Sequence, residues 1–250
     1  MPPLFSVHGL SKRFANGCEA LVSVSMDIAE GECLLVAGSN GSGKTVLTRI
    51  LAGLTEPSAG EVLFRGEPLA SRIALLRRTV GLVFQDADAQ IVGETVAEDI
   101  AFGPENLRLS REAVRERVED ALARFALADK RGASPRSLSG GEKRRLAVAG
   151  VAAMGCEAVI LDEPFANLDW HGVRQVLQVI QNLKNDKRTV ILLTHELEKA
   201  LAFADRLLIL HKGEIKADGP PDAVLDMLDP AWGVRDPRGR CDRAADCTWL

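Results

Sequence analysis

The chain has 250 residues, 46% of them hydrophobic, and a formal net charge of −4. That length holds one large domain or two small ones, and the apolar share is that of a packed globular protein. The charge balance excludes an overall positive field of the kind that gathers nucleic acid, since basic residues cluster only briefly, as at Arg77-Arg78 and Lys143-Arg144-Arg145.

The N-terminal segment has no basic stretch leading into an apolar one, so no signal peptide is expected. The longest weakly polar run, Leu146 to Cys156, falls short of the about 20 residues that span a bilayer. A soluble chain is expected, with any membrane role coming through a partner. Five cysteines (Cys18, Cys33, Cys156, Cys241 and Cys247) form an odd set without CxxC spacing, which predicts free thiols rather than a disulfide framework or a zinc site.

In chain order, Leu4–His8 and the alternating Leu21–Ile28 read as strands, and Cys33–Ala37 as a short buried strand ending at glycine. Thr45–Leu54 reads as a helix stopped by Gly53 and Pro57, and Val80–Phe84 as another buried strand. From about Thr95 to Met154 the pattern turns helical, with Ser110 as cap of the charged segment Arg111–Phe125. Strand and helix then alternate: Ala158–Leu161, His171–Asn185, Thr189–Thr194. Leu207–Leu210 and Glu214–Ala217 flank a hairpin turn at His211-Lys212-Gly213. From Asp229 on, Pro, Gly, Asp and Arg predict an irregular C-terminal segment over 229–250. Such alternation implies an α/β fold with a mainly parallel sheet covered on both faces.

The loop Gly38-Ser39-Asn40-Gly41-Ser42-Gly43-Lys44-Thr45 fits the phosphate-binding pattern G-x-x-x-x-G-K-[ST], entered by a strand and left by a helix. Glycines let the backbone curl so that successive N–H groups face phosphate oxygens, and the helix N-terminus adds its dipole. Lys44 is the candidate counter-charge for the β- and γ-phosphates and Thr45 a candidate Mg²⁺ ligand. Val159-Ile160-Leu161-Asp162-Glu163 is an apolar strand ending in two acids: Asp162 suits Mg²⁺ and Glu163 suits a general base toward water.

With these in place, Leu138-Ser139-Gly140-Gly141-Glu142 makes the chain resemble the ATP-binding-cassette ATPases over roughly residues 4–228. The resemblance implies a P-loop NTPase cassette: a mainly parallel sheet core with an antiparallel β part and an inserted helical subdomain at about 95–154. It implies ATP and Mg²⁺ as nucleotide and cofactor, and a second cassette, identical or paralogous, whose bound ATP is met by Ser139, Gly140, Gly141 and Glu142. Gln85 resembles the glutamine that senses Mg²⁺ and attacking water, Asn167-Leu168-Asp169 the loop that crosses to the partner, and His195 the γ-phosphate histidine. Phe14 lies where the family stacks an aromatic ring on adenine; on its own it reads equally as a core residue.

The stretch Phe84 to Leu107 resembles, more narrowly, the ATPases of energy-coupling-factor importers for vitamins and cobalt or nickel ions. That resemblance implies a transmembrane subunit docking near Glu98 and Asp99, a separate membrane component holding the substrate, no nucleic acid, and a place on the cytoplasmic face of the membrane. The alternatives are the ATPase of another ABC transporter, a soluble cassette acting on nucleic acid, and an ATP-sensing scaffold that does not hydrolyse. Nucleic-acid cassettes usually carry a long coiled-coil insertion or a second cassette, neither found in this chain, and scaffolds typically lose the acid or histidine that Glu163 and His195 supply. Two departures stand out. Val46 occupies a position where the family usually has a hydroxyl near the α-phosphate, and Glu142 replaces the commoner glutamine.

Overall fold

Short, largely apolar segments build the middle of the central sheet. In this computed structural model, residues 2–166 and 168–239 are described; Asn167, Cys241 and Cys247 lie outside the described residues. β3 (Cys33–Ala37), β7 (Ala158–Asp162) and β8 (Thr189–Thr194) are buried at every position. This is the pattern of parallel strands covered on both faces. With β6 (Val80–Val83), β9 (Arg206–His211) and β10 (Glu214–Gly219) they form, among the described residues, a six-stranded sheet in the order β10-β9-β3-β8-β7-β6. β10 alone runs antiparallel, closing the hairpin with β9.

Alternation along β3 divides the core. Cys33, Leu35 and Ala37 face one cluster, and Leu34 and Val36 face the other. The first cluster is roofed by the helical insert: α3 (Val96–Asn106), α4 (Arg111–Arg124) and α5 (Gly140–Ala153), together with α6 (Trp170–Asn185). A fully buried Leu146 in α5 contributes about 1.5–3 kcal/mol by leaving water. α5 can lie close on β6 because residue 81 is glycine; a Cβ there would sit 2.1 Å from Val151 Cγ1.

The second cluster is covered by α1 (Lys44–Leu51) and an antiparallel sheet of order β2-β1-β4-β5. Its strands are β1 (Phe5–Arg13), β2 (Glu19–Ile28), β4 (Ala59–Phe64) and β5 (Glu67–Pro68). Phe5 and Phe64 pack across β1 and β4 with ring centroids 5.4 Å apart. The expected fold class is therefore found, including its antiparallel part. β4, β5 and the following α2 (Ile73–Thr79) lie in a stretch that carried no expectation, where Gly60, Gly66 and Pro68 give the signature of a loop.

Thr95 and Ser110 cap α3 and α4 through their side chains, as the sequence pattern of Ser110 anticipates for α4. α7 (Leu197–Ala200) and α8 (Pro221–Asp226) are short connectors. The described residues after Asp229, 230–239, are irregular yet not detached. Val234 is buried in the main core, and His211 Nδ1 lies 3.1 Å from the Trp232 carbonyl oxygen. The packed body thus runs past residue 228, because Trp232 and Val234 supply apolar surface that the composition of the segment conceals. Cys18, Cys33 and Cys156 are free thiols. Among the described residues no helix is long and apolar enough to cross a membrane.

Candidate active site

The parallel strands all point one way, so the chain leaving their C-terminal ends converges on one edge, where α/β sheets bind ligands. Behind β3 the phosphate-loop segment turns into α1. Gly43 takes φ 108°, and a Cβ there would lie 2.4 Å from the Ala20 carbonyl oxygen, so only glycine fits. Among the described residues no side chain caps α1, leaving its first-turn N–H groups open to an anion. Ser42 Oγ is buried without a hydrogen-bond partner among the described residues, a second polar group that a ligand would satisfy. Lys44 is 5% exposed and donates to the carbonyls of Gly38 (2.6 Å) and Ser39 (3.2 Å). Burial pulls its ammonium pKa down, and the carboxylate of Glu163, with Oε1 3.5 Å from Nζ, opposes that shift. An open ring of donors around a buried cation fits the phosphates of a nucleotide.

Next along the edge, β7 delivers Asp162 and Glu163. Asp162 is buried, which pushes its carboxyl pKa up; a long 3.4 Å hydrogen bond from Thr45 Oγ1 works the other way. Gln85, leaving β6, shares a pocket wall with Thr45 and Asp162. A hydroxyl, a carboxylate and an amide oxygen are hard donors suited to Mg²⁺ with substrate oxygens completing the shell. Among the described residues there is no three-membered His/Cys/Asp/Glu group of the kind that cages a metal by itself. Glu163 sits at φ 46°, in the left-handed region, where a non-glycine residue is strained. Its N–H donates to Leu193 of β8 (2.9 Å), and its Oε2 lies 3.0 Å from Nδ1 of His195, which follows β8. Neighbouring strand ends thus bring Lys44, Glu163 and His195 into one chain of contacts.

Phe14 and Val46 line the same cleft of about 550 Å³, with Asn40, Gly41, Lys44 and Thr45. Phe14 is 41% exposed, which rules out its reading as core, and Lys12 Nζ lies 5.5 Å from the ring centroid. Val46 also packs against the second core cluster.

The signature residues stand apart: none of 139–142 lines this cleft. Ser139 Oγ accepts from the Glu142 N–H (3.3 Å), and Glu142 Oε2 accepts from the Ser139 N–H (2.8 Å), a capping box at the start of α5. That backbone bond holds the Glu142 carboxyl below its usual pKa. The glutamate side chain is turned back on its own helix, while Gly140 and Gly141 present bare backbone. Asp169 caps α6 through the Gly172 N–H (2.7 Å), and a Cβ on Gly141 would lie 3.6 Å from the Gly172 Cα, so both helix starts share one face.

The structure changes one expectation and turns one short run of charge inward. Asp99 is not displayed for a partner: it is 8% exposed, and its Oδ1 accepts from the N–H groups of Val92 (2.8 Å) and Gly93 (2.9 Å). Facing the open backbone of the loop before Thr95, a carboxylate in the first turn of the helix is captured by those donors. Glu98 stays exposed but returns one oxygen to the Thr95 N–H. Secondly, Lys143-Arg144-Arg145 is no surface patch. Arg144 is 4% and Arg145 8% exposed; Arg144 donates to the carbonyls of Phe84 and Gln85, and Arg145 to Gln175 of α6. Arg144 is the residue that sequence reasoning missed. The only signal was three successive charges on a helix whose other faces are apolar.

Residues 21–166 match the family model described as ABC transporter. The cobalt import ATP-binding protein CbiO of Rhodobacter capsulatus is 42% identical over 90% of this chain and 81% of that protein. The energy-coupling factor transporter ATP-binding protein EcfA of Methanocaldococcus jannaschii is 37% identical over 87% of this chain and 79% of its own. Among solved structures, CbiO1 of Clostridium perfringens, described as part of the ABC transporter complex cbiONQ, superposes with a TM-score of 0.83 at 30% identity, covering 98% of both chains. The chain belongs to the ABC transporter family and is an ATP-binding-cassette ATPase of the energy-coupling-factor type.

Proposed function

We propose that the chain is the ATP-hydrolysing subunit of an importer that takes up a metal ion or a vitamin, working at the cytoplasmic face of the membrane. The observation that carries this reading is the likeness to a cobalt import ATPase across 90% of the chain, which includes the Gln85 loop and α3. Two cassettes, copies or paralogues, would hold two ATP molecules between the loop of one and Ser139-Gly140-Gly141 of the other. Closure then follows from ATP binding the closed pair better than the open one. In this reading Lys44 neutralises phosphate charge and Phe14 stacks on adenine. Thr45, Asp162 and Gln85 hold Mg²⁺, which when bound would polarise the transferred phosphoryl group. Glu163 takes the proton of attacking water, and His195 both orients Glu163 and meets the γ-phosphate.

A membrane subunit would dock beside the Gln85 loop, where Val92 (60% exposed), Asp88 and Glu94 flank a groove closed by Ser134, Pro135 and Arg136. Exposed Glu94 and Glu98 replace Asp99 as the acids available to a basic helix. Detergent purification from native membranes tests the reading: a small multi-helix membrane protein should accompany the wild type and be lost from the Glu94→Lys/Glu98→Lys double variant, with ATP binding kept. Nucleic acid in its place, or no companion at all, would sink the importer assignment.

A further inference from the structure

We propose that Arg144 is the positioning residue that sets Gln85 in the active site, so that the amide of Gln85 moves with the signature helix. The inference rests on the reading of Gln85 as a site residue. The guanidinium of Arg144 is buried at the first turns of α5, and its Nη1 and Nη2 donate to the carbonyls of Phe84 and Gln85, each at 2.5 Å. A planar fork that bonds two consecutive peptide units fixes the orientation of the backbone between them, and so the direction in which the Gln85 side chain leaves it. Burying a guanidinium is costly, and its pKa is pulled down accordingly; Asp86 and Asp162 compensate at longer range without a direct ion pair. The charge is therefore spent on backbone placement next to the proposed Mg²⁺ ligands.

The remaining anchors make the loop one body with the helical insert. Gln90 closes the loop on β6, accepting from the Phe84 N–H (3.0 Å) and donating to the Leu82 carbonyl (3.1 Å). Asp99 of α3 holds Val92 and Gly93, and Lys143 Nζ lies 2.6 Å from Asp88 Oδ1. Arg144 thus fastens the head of the loop and Asp99 its tail, both from the insert. Arg145, next in sequence, ties α5 to Gln175 of α6. Any displacement of α5 would therefore be passed to the Gln85 backbone through Arg144. A lysine would keep the charge but offers a point donor in place of the fork.

The test is a double-mutant cycle on the full-length chain: wild type, Arg144→Lys, Gln85→Ala and the pair, each measured for ATP turnover, Mg²⁺ half-saturation, ATP affinity and melting temperature. Arg144→Lys should lower kcat about ten- to a hundredfold, as a misplaced site group does, and raise the Mg²⁺ requirement. ATP affinity should stay within about threefold, and the pair should turn over no more slowly than Gln85→Ala alone. Losses that multiply, or a lowered melting temperature with unchanged kcat, would make Arg144 a mere structural brace and overturn the proposal. Wild-type turnover by Gln85→Ala would remove Gln85 from the site and the proposal with it, an outcome distinct from multiplying losses. Should Arg144→Lys not fold, Arg144→Gln, which can still bond one carbonyl, takes its place with the same readings.

Discussion

Two helices of this protein begin at glycine-rich turns, and they begin differently. α1 starts at Gly43, with no side chain of the described residues on its first-turn N–H groups and a buried ammonium beside it. α5 starts at Ser139 and closes a full capping box with Glu142, so that two of its end donors are already satisfied. The first has the form of an anion cradle with its counter-charge built in. The second is a finished helix end that offers only the two backbone amides of Gly140 and Gly141. One end can bind a polyphosphate within a single chain; the other has the reach for a single phosphoryl group presented from outside, which is what a partner-dependent site needs.

In the proposed reading the chemistry belongs to the α1 side, and the largest effect is expected there. Glu163→Gln should reduce turnover by at least about a hundredfold, the scale of lost general-base help. The same change removes the carboxylate that lies 3.5 Å from Lys44, so ATP binding should persist or tighten. Turnover and equilibrium ATP titration of the variant check both halves, and wild-type turnover would break the assignment of chemistry to this edge.

A second measurement asks whether the α1 cradle extends to a base-binding wall at Phe14. Cys18 is exposed and lines the same cleft, whereas burial pushes the Cys33 thiol up to about 12 and the Cys156 thiol up to about 11. In a Cys241→Ser/Cys247→Ser background, Cys18 is therefore the reactive thiol. ATP at ten times its Kd should slow maleimide labelling about tenfold, in step with occupancy. Labelling that ignores ATP would mean that adenine lies elsewhere, and Phe14 would lose its role.

These two regions also differed in how much the sequence disclosed. Cys33–Ala37, Ala158–Leu161 and Thr189–Thr194 were legible because strands buried on both faces must be apolar throughout. Gly38 to Thr45 was legible because backbone curvature and phosphate charge dictate residue types at fixed spacing. The supports of the Gln85 loop were not. Arg144 meets Gln85 across 59 positions of sequence, and a buried arginine bonded to carbonyls has the same local pattern as one on a solvated face. Asp99 reads as displayed for the same reason: its partners, Val92 and Gly93, come from a loop without periodicity. β5 escapes because it has only two residues, and β4 because Gly60 within it and Gly66 just beyond it give the segment the look of a turn.

The capping box on α5 supplies a smaller, sharper test of the contrast. Glu142→Ala should cost about 1 kcal/mol, a melting-temperature drop of roughly 2–4 °C in a chain of this size. Glu142→Gln keeps a capping acceptor and should be nearly neutral at pH 7. The Ser139 N–H holds the Glu142 pKa below its usual value, so the stabilisation is present above the ordinary carboxylate range and is lost as pH falls through the lowered value. Differential scanning calorimetry should therefore show the gap between wild type and Glu142→Ala closing in acid. A gap that does not change with pH would show that the carboxylate is not what caps α5.

The smallest effect is expected at Val46, in the first turn of α1, where the sequence alone suggests a missing hydrogen bond to the α-phosphate. A hydroxyl there would add roughly 0.5–1.5 kcal/mol to nucleotide binding if its geometry were free. It is not wholly free, because the side chain packs against the second core cluster while it also lines the cleft. Val46→Thr exchanges a methyl group for a hydroxyl at constant shape, and a hydroxyl turned toward that core would lose part of what it gains. The uncapped N–H groups of α1, moreover, would serve the same phosphates. Tightening of no more than about threefold is therefore expected, below the tenfold that about 1.4 kcal/mol would give. Isothermal titration with ATP, alongside a melting curve of the free variant, separates the two terms. Tenfold tighter binding with unchanged stability would show that the cradle was incomplete without the hydroxyl. Weaker binding with a lower melting temperature would show that Val46 belongs first to the core.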